Sequence, residues 1–117
     1  LELVHKYVHI YDSIEEIVKR TKPDALSVET QFVHKNVQVA IKLGMARGAI
    51  VIAAAKNGVD VFEYSPMEAK RAVTGNGRSS KPQVAHMVKT LLSLSALPTS
   101  EDAADALSLA IAHANAS

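Results

Sequence analysis

Residues 25–32 read ALSVETQF, and their alternation determines the predicted fold. Side chains that repeat with a period of two indicate a β-strand. One side of this strand carries Leu26, Val28, Thr30 and Phe32, and the other carries Ser27, Glu29 and Gln31. Lys22-Pro23 precedes the segment and ends a helical pattern that runs from the start of the chain to about Arg20. The sequence therefore predicts a helix followed by a strand.

Helices and strands continue to alternate after this segment. Asn36 is placed to cap a long helix that runs to about Lys56 and is closed by Asn57-Gly58. A second strand is predicted at residues 59–64. Three further helices begin after the serine caps Ser65, Ser80 and Ser100, of which the first ends near Gly75 and the second runs to about Leu94. Strands that alternate with helices usually pair in parallel through right-handed crossovers. We therefore predict an α/β fold with helices packed on a sheet.

Two strands are few for a sheet of this kind. The chain also begins without methionine, in the middle of a helical pattern. We therefore expect further strands of the sheet to precede Leu1. Residues 1–117 are predicted to form a single domain that is incomplete at its N-terminus.

The composition excludes several classes of protein. The chain has 117 residues, of which 48% are hydrophobic, and this content argues against disorder. It has no cysteine, which excludes disulfides, thiolate catalysis and cysteine-ligated zinc. The longest uncharged apolar run, residues 49–55, is too short to span a bilayer, and the opening residues do not resemble a signal peptide. We therefore expect no membrane association.

The net charge of +1 conceals a gradient along the chain. Residues 1–68 carry eight Lys/Arg and nine Asp/Glu, whereas residues 69–100 carry five basic residues and no acidic one. Residues 101–117 carry three acids and no Lys or Arg. A basic stretch suits a polyanion and a tight acidic cluster suits cations, so the two together point to phosphate and metal chemistry.

Three carboxylates are candidate metal ligands. Glu29 lies within the first predicted strand, and Asp102 and Asp105 lie three residues apart on one face of the last helix. Each has a simpler explanation, since Glu29 alone could face solvent and acids near a helix start interact well with the helix dipole. Together they would offer the oxygen ligands that Mg²⁺ and Mn²⁺ prefer. The basic residues from Lys70 to Lys89 would then bind phosphate.

Two glycine-containing segments have open interpretations. Gly44 and Gly48 lie one helical turn apart in the long helix, where they would serve either a close contact within the chain or a dimer interface. The loop at residues 75–79 lacks the pattern of a nucleotide-binding P-loop. Its Arg78, with the nearby Lys81, suits a nucleic-acid backbone.

Four segments resemble the RuvC family of bacterial crossover (Holliday) junction endodeoxyribonucleases. They are SVETQF, KLGMARGAI, VFEYSPMEAKRAVTGNGRSSKPQVAHMVKTLL and EDAADALSLAIAHA, and they cover nearly the whole chain in order. The resemblance implies a ribonuclease H-like fold and a homodimer that cuts four-way junction DNA with Mg²⁺, for which Mn²⁺ may substitute. It also implies a bacterial cytoplasmic protein that can work with the RuvA/RuvB branch-migration complex.

The resemblance assigns roles to individual residues. Metal-binding catalytic residues of the family match Glu29, Asp102 and Asp105. DNA contacts of the family match Phe32, which would meet junction bases, and Lys70 and Lys81, which would lie near the scissile phosphate. The helix of residues 36–56 matches the family's dimer-forming helix, which favours the interface explanation of Gly44 and Gly48.

The chain departs from the family in one respect. The family begins with a strand of the form GIDPG, whose aspartate is a fourth metal ligand, and this strand and the two after it are not among residues 1–117. We therefore expect these residues alone to cleave poorly or not at all. We also expect the strand that carries Glu29 to expose an open edge that invites pairing with another chain.

Two other functions are compatible with the sequence. A non-catalytic junction-DNA-binding module would keep Phe32, the basic stretch and the dimer helix. A purely structural dimerisation domain would leave its charges as solvated surface and show no salt-dependent affinity for DNA.

Overall fold

The structure is a computed structural model that describes residues 2–30 and 35–116. Its described residues form, in chain order, α1 (Glu2–Thr21), β1 (Ala25–Glu29), α2 (Val37–Lys56), β2 (Asp60–Tyr64), α3 (Pro66–Thr74), α4 (Lys81–Leu91) and α5 (Glu101–Ala116). The predicted order of helix, strand, helix, strand and three helices is confirmed. Phe32 and the end of the predicted first strand lie outside the described residues.

Local side-chain chemistry sets most of the boundaries. The Asn36 side chain accepts hydrogen bonds from the backbone N–H groups of Gln38 and Val39, as expected of the cap of α2. Gly75 ends α3 with a φ of 81°, in the left-handed region where glycine is favoured over other residues. The predicted boundaries of α2 and α3 are therefore confirmed.

The prediction for the end of α4 is wrong by about one turn. The apolar pattern continues to Leu94, but the helix ends at Leu91 and Leu92 caps it. Ser93 then takes a φ of 53°, which helical residues do not adopt. Leu94 packs against the core although it lies beyond the end of the helix, so it continues the apolar spacing of α4 in the sequence.

The two strands pair in parallel, which confirms the predicted α/β class. Contacts divide the described chain into two compact units. The first holds residues 2–26 and 35–61, and the second holds residues 27–30 and 62–116. The assignment of residues 1–117 to a single domain stays a prediction.

The first unit packs α1 against α2. Val18, Ala54 and Val59 form its buried centre. Asn57, at the end of α2, donates a hydrogen bond of 3.0 Å to the Glu15 carboxylate of α1, and this bond lowers the pKa of Glu15. The end of one helix is thereby tied to the middle of the other.

The second unit packs α3, α4 and α5 around one apolar cluster. Its buried members are Val73, Val84, Val88 and Ile111. Val88 is fully buried, with no exposed surface. This cluster packs together the three helices that carry most of the candidate site residues.

Helix α2 leaves large apolar side chains exposed. Val37, Ile41, Met45 and Ile52 are each more than half exposed and follow one another at helical spacing. The same helix is the one described helix that is long and apolar enough to cross a membrane by length and composition. The prediction from residues 49–55 considered too short a run, because residues 37–54 contain only two charged side chains, Lys42 and Arg47. A helix that packs on protein passes the same test of length and composition.

Candidate functional site

One cavity of about 530 Å³ lies within the second unit. Its walls are mostly apolar and come from the starts of α3, α4 and α5, from β1 and from the segment before α5. The apolar lining includes Pro66, Pro82, Val84, Leu97, Pro98 and Leu109. The charged lining consists of Glu29, Lys70, Lys81, Glu101 and Asp105. Two lysines and three carboxylates thus line one cavity whose walls are mostly apolar.

A hydrogen bond between β1 and α5 brings two of the predicted carboxylates to this cavity. The Ser27 hydroxyl donates to the backbone carbonyl of Leu109 over 2.7 Å. Glu29 is two residues after Ser27 and therefore points to the same side of the strand. Asp105 is one turn before Leu109 and lies on the same face of α5. The bond thereby aligns the strand with the helix and places Glu29 and Asp105 on one cavity.

Lys70 reaches the cavity because α3 begins at a capping box. The Ser65 side chain accepts from the Glu68 backbone N–H over 3.0 Å, and the Glu68 carboxylate accepts from the Ser65 N–H over 2.9 Å. The bond from the Ser65 backbone lowers the pKa of Glu68. Lys70 follows on the first turns of this helix and is half-buried at the cavity wall.

Lys81 is held by two acids of α5. Its ammonium nitrogen lies 3.4 Å from a Glu101 carboxylate oxygen and 3.7 Å from one of Asp105. The hydrogen bond with Glu101 is the main cause of a raised pKa for Lys81, and the charges of Asp105, Glu101 and Asp102 add to it. Lys81 is thus a charged bridge between the starts of α4 and α5.

Asp102 and Asp105 are not equivalent in the structure. Both are exposed, and Asp105 lines the cavity and contacts Lys81. Asp102 acts on Lys81 only through its charge, and it is not among the described residues that line the cavity.

Arg78 lies on a hydrogen-bonded turn between α3 and α4. The Asn76 side chain accepts from the Arg78 backbone N–H over 2.9 Å, and the hydroxyls of Thr74 and Ser79 meet at 2.6 Å. Gly77 packs so closely that an added Cβ would lie 2.5 Å from the Met67 Cγ. The exposed Arg78 is therefore presented at a defined position, although it does not line the cavity.

The structure thus gathers four of the predicted site residues, namely Glu29, Asp105, Lys70 and Lys81. Phe32 lies outside the described residues. Sequence reasoning missed Ser27, which aligns β1, and Glu101, which pairs with Lys81. For Glu101 a signal was present, since it follows the Ser100 cap as Lys81 follows the Ser80 cap.

A second polar contact joins β2 to α5. The Tyr64 hydroxyl lies 2.7 Å from Nδ1 of His113, and the Phe62 ring stacks on the same imidazole with 4.2 Å between ring centroids. His113 had no partner that the sequence could indicate. This contact secures the far end of the helix whose start carries the acids.

The fit of these residues to a divalent cation is incomplete. Carboxylate oxygens are the ligands that Mg²⁺ prefers. Among the described residues, however, no three His, Cys, Asp or Glu side chains lie close enough together to hold a metal ion. Glu29 and Asp105 supply suitable oxygens, and the Lys81 ammonium balances part of the charge of Asp105.

Comparison with solved structures identifies the fold. The chain aligns with the structure of Thermus thermophilus RuvC at a TM-score of 0.86 and 38% identity, over 96% of this chain and 68% of that one. It aligns with "T. thermophilus RuvC in complex with Holliday junction substrate" at a TM-score of 0.89, over 94% of this chain and 67% of that one. The predicted ribonuclease H-like fold is thereby confirmed.

Comparison of sequences narrows this class to a family. The family model described as "Crossover junction endodeoxyribonuclease RuvC" matches residues 2–113. A crossover junction endodeoxyribonuclease RuvC from Protochlamydia amoebophila is 56% identical over 97% of this chain and 67% of its own length. One from Ruminiclostridium cellulolyticum is 46% identical over 91% of this chain and 64% of its own length. The chain belongs to the RuvC family, a family of metal-dependent nucleases, and it spans about two thirds of the length of these relatives.

Removing the bond that aligns β1 should destabilise the second unit. We expect the Ser27→Ala variant to lose about 1 kcal/mol of unfolding free energy, because the hydroxyl that bonds to Leu109 is gone. Urea unfolding followed by circular dichroism measures this loss. Ser95→Ala, at an exposed loop position, is the matched control and should change stability by less than about 0.5 kcal/mol. Equal losses in both variants would contradict the aligning role of Ser27.

Proposed function

We propose that this chain is part of a structure-selective endonuclease that resolves Holliday junctions in recombination and repair by metal-dependent phosphodiester hydrolysis. One observation carries the proposal: Glu29, Asp105, Lys70 and Lys81 share a single cavity in a chain of the RuvC family. The relative solved with a Holliday junction substrate supports the choice of DNA as the substrate.

The lysines and the carboxylates of the cavity would have different roles. Lys70 and Lys81 would contact the DNA backbone near the scissile phosphate, because ammonium groups pair well with phosphate oxygens. Glu29 and Asp105 would bind the cation through their carboxylates at the cavity, and the family motif alone supports Asp102 as a further ligand. We propose Mg²⁺ as the cation, with Mn²⁺ as a substitute. Such a cation, when bound, would favour deprotonation of water and stabilise charge on the leaving oxygen. The apolar walls would limit the access of other water to the site.

Contacts outside the cavity would select the junction. We propose that Arg78 meets the DNA backbone from its hydrogen-bonded turn and that Phe32 contacts bases at the crossover. For Phe32 the support is the family motif alone.

We also propose that the protein is a homodimer through α2. The exposed Val37, Ile41, Met45 and Ile52 form one apolar face, and an exposed face of this kind usually marks an interaction surface. An added Cβ at Gly48 would meet none of the described atoms within 4 Å, so this glycine does not serve a close contact within the chain. A second copy of α2 could therefore approach there. Two copies would present two sites to the paired strands of a junction.

Two proposals depend on the family alone. We propose a bacterial cytoplasmic location and cooperation with the RuvA/RuvB branch-migration complex. No membrane role is proposed for α2, because its apolar face has a use in the dimer.

A second candidate function is junction binding without cleavage. It is favoured by the lack of a three-ligand group among the described residues. The two candidates differ only in chemistry, since both keep the lysines and the dimer helix. A purely structural dimerisation domain would lack salt-dependent DNA affinity altogether.

The lysines of the cavity should contribute phosphate contacts. We expect Lys70→Gln and Lys81→Gln each to weaken four-way junction binding and to reduce the slope of log affinity against log salt by roughly one unit, because each contact releases about one counterion. Fluorescence anisotropy over a salt series measures the slope. Lys6→Gln, on the exposed face of α1, is the control and should leave the slope unchanged. Equal slopes in all variants would remove the lysines from the DNA interface.

A polypeptide of residues 1–117 alone should bind a junction but cut it poorly with Mg²⁺, because its described residues supply no three-ligand group. Fusing the N-terminal strand segment of the Protochlamydia amoebophila relative should restore paired cuts on denaturing gels. The same fusion with the strand aspartate changed to Asn is the control and should stay weak. Robust cutting by the 117-residue polypeptide would contradict the expected need for a further ligand.

The α2 face should control the oligomeric state. We expect Ile41→Asp to raise the dimer dissociation constant by at least about tenfold, because the charge would be buried between two apolar faces. Sedimentation equilibrium measures this constant. Leu91→Asp, an equally large change at a half-exposed position of α4, is the control and should leave it unchanged. A dimer that survives Ile41→Asp would place the interface elsewhere.

A further inference from the structure

Lys81 occupies a position where a cation does not help its own helix. It is the first residue of α4, and the positive end of a helix dipole lies at that end. The start of α4 is made by the Ser80–Gln83 capping box, in which the Gln83 N–H donates to the Ser80 hydroxyl over 3.3 Å, and an ammonium has no acceptor to offer the N–H groups there. The Lys81 side chain is therefore not required to start the helix and is available for another purpose.

The Lys81 ammonium is instead held by the start of α5. Glu101 is the nearer partner at 3.4 Å, and Asp105 lies at 3.7 Å. Glu101 is not one of the three carboxylates that we assign to the cation, so its charge has no part in that role. Its side chain is 73% exposed, which leaves it free to move away from Lys81.

The charge balance of the cavity opposes a phosphate. Its lining carries two lysines against three carboxylates, and Asp102 adds a further negative charge close by. A DNA phosphate that approaches Lys81 therefore has to displace or share the carboxylates already paired with it. A carboxylate and a phosphate offer an ammonium the same kind of oxygen acceptor.

We propose that Glu101 holds Lys81 as an internal substitute for a DNA phosphate and thereby lowers the affinity of this site for the DNA backbone. The proposal rests on the proposed function and extends it to the regulation of the same site. DNA that makes only backbone contacts here would be held weakly, and contacts elsewhere on a junction would be needed to displace Glu101. Glu101 is thus a positioning residue that acts through Lys81.

The test measures junction affinity over a salt series in EDTA, so that cation binding at Asp105 does not vary. We expect Glu101→Gln to tighten binding by about two- to fivefold at low salt, the range of an exposed ion pair. The salt slope should stay that of the parent chain, because the counterions are released from the DNA phosphates and Lys81 neutralises the same phosphate in both proteins. A merely structural role in α5 would not tighten binding, and its effect would not depend on Lys81.

A double-mutant cycle separates action through Lys81 from general repulsion. We expect the gain from Glu101→Gln to disappear when Lys81→Gln is already present. Glu16→Gln, the same charge change at an exposed position of α1, should alter neither affinity nor slope. Circular dichroism confirms that each variant is folded, as the exposure of Glu101 leads us to expect.

The outcomes distinguish this inference from the proposed function. A parent chain without salt-dependent junction affinity would contradict the proposed function itself. A parent chain that binds, with no tighter binding on Glu101→Gln, would contradict only the role of Glu101. A gain that persists in the Lys81→Gln background would also overturn it, because Glu101 would then act on DNA directly.

Discussion

The hydrogen bond from Ser27 to the Leu109 carbonyl is the contact on which the site depends. It joins residues 82 apart in sequence and fixes the register of β1 against α5. Because strand side chains alternate and helix side chains repeat every turn, this one register brings Glu29 and Asp105 to the same cavity. A shift of β1 by one residue would turn Glu29 to the opposite side of the sheet and separate the two carboxylates.

The remaining charges gather because three helices begin beside one another. Capping boxes start α3 and α4, and the Ser100 side chain caps α5 by accepting from the Ala103 N–H over 3.1 Å. The apolar cluster around Val88 packs the three helices against one another. Each helix thereby contributes a charged residue from its first turns to the same cavity, namely Lys70, Lys81 and Asp105. Two opposite kinds of charge remain close there because each partly neutralises the other.

The local features could be predicted from the sequence, whereas the long-range contacts could not. The side chains of Asn36, Ser65 and Ser80 accept from backbone N–H groups two or three residues away, so their capping roles could be predicted from the local sequence. The pairs Ser27–Leu109, Lys81–Glu101 and Tyr64–His113 depend on how distant elements pack, and no spacing encodes them. The end of α4 was misplaced because Leu94 is packed against the core without being helical. The carboxylates were found by their motif, and only the structure separates Asp105, at the cavity, from Asp102.

Cross-linking can show whether DNA phosphate enters the cavity. Because the chain has no cysteine, one introduced thiol is a unique attachment point. Leu97 lines the cavity and is 43% exposed, whereas Leu91 is 51% exposed and is not part of the lining, so Leu97→Cys and Leu91→Cys form a matched pair. With a four-way junction that carries thiol tethers on phosphates at the crossover, disulfide cross-linking should be efficient for Leu97→Cys and weak for Leu91→Cys. Equal yields from the two variants would contradict the placement of the scissile phosphate at this cavity.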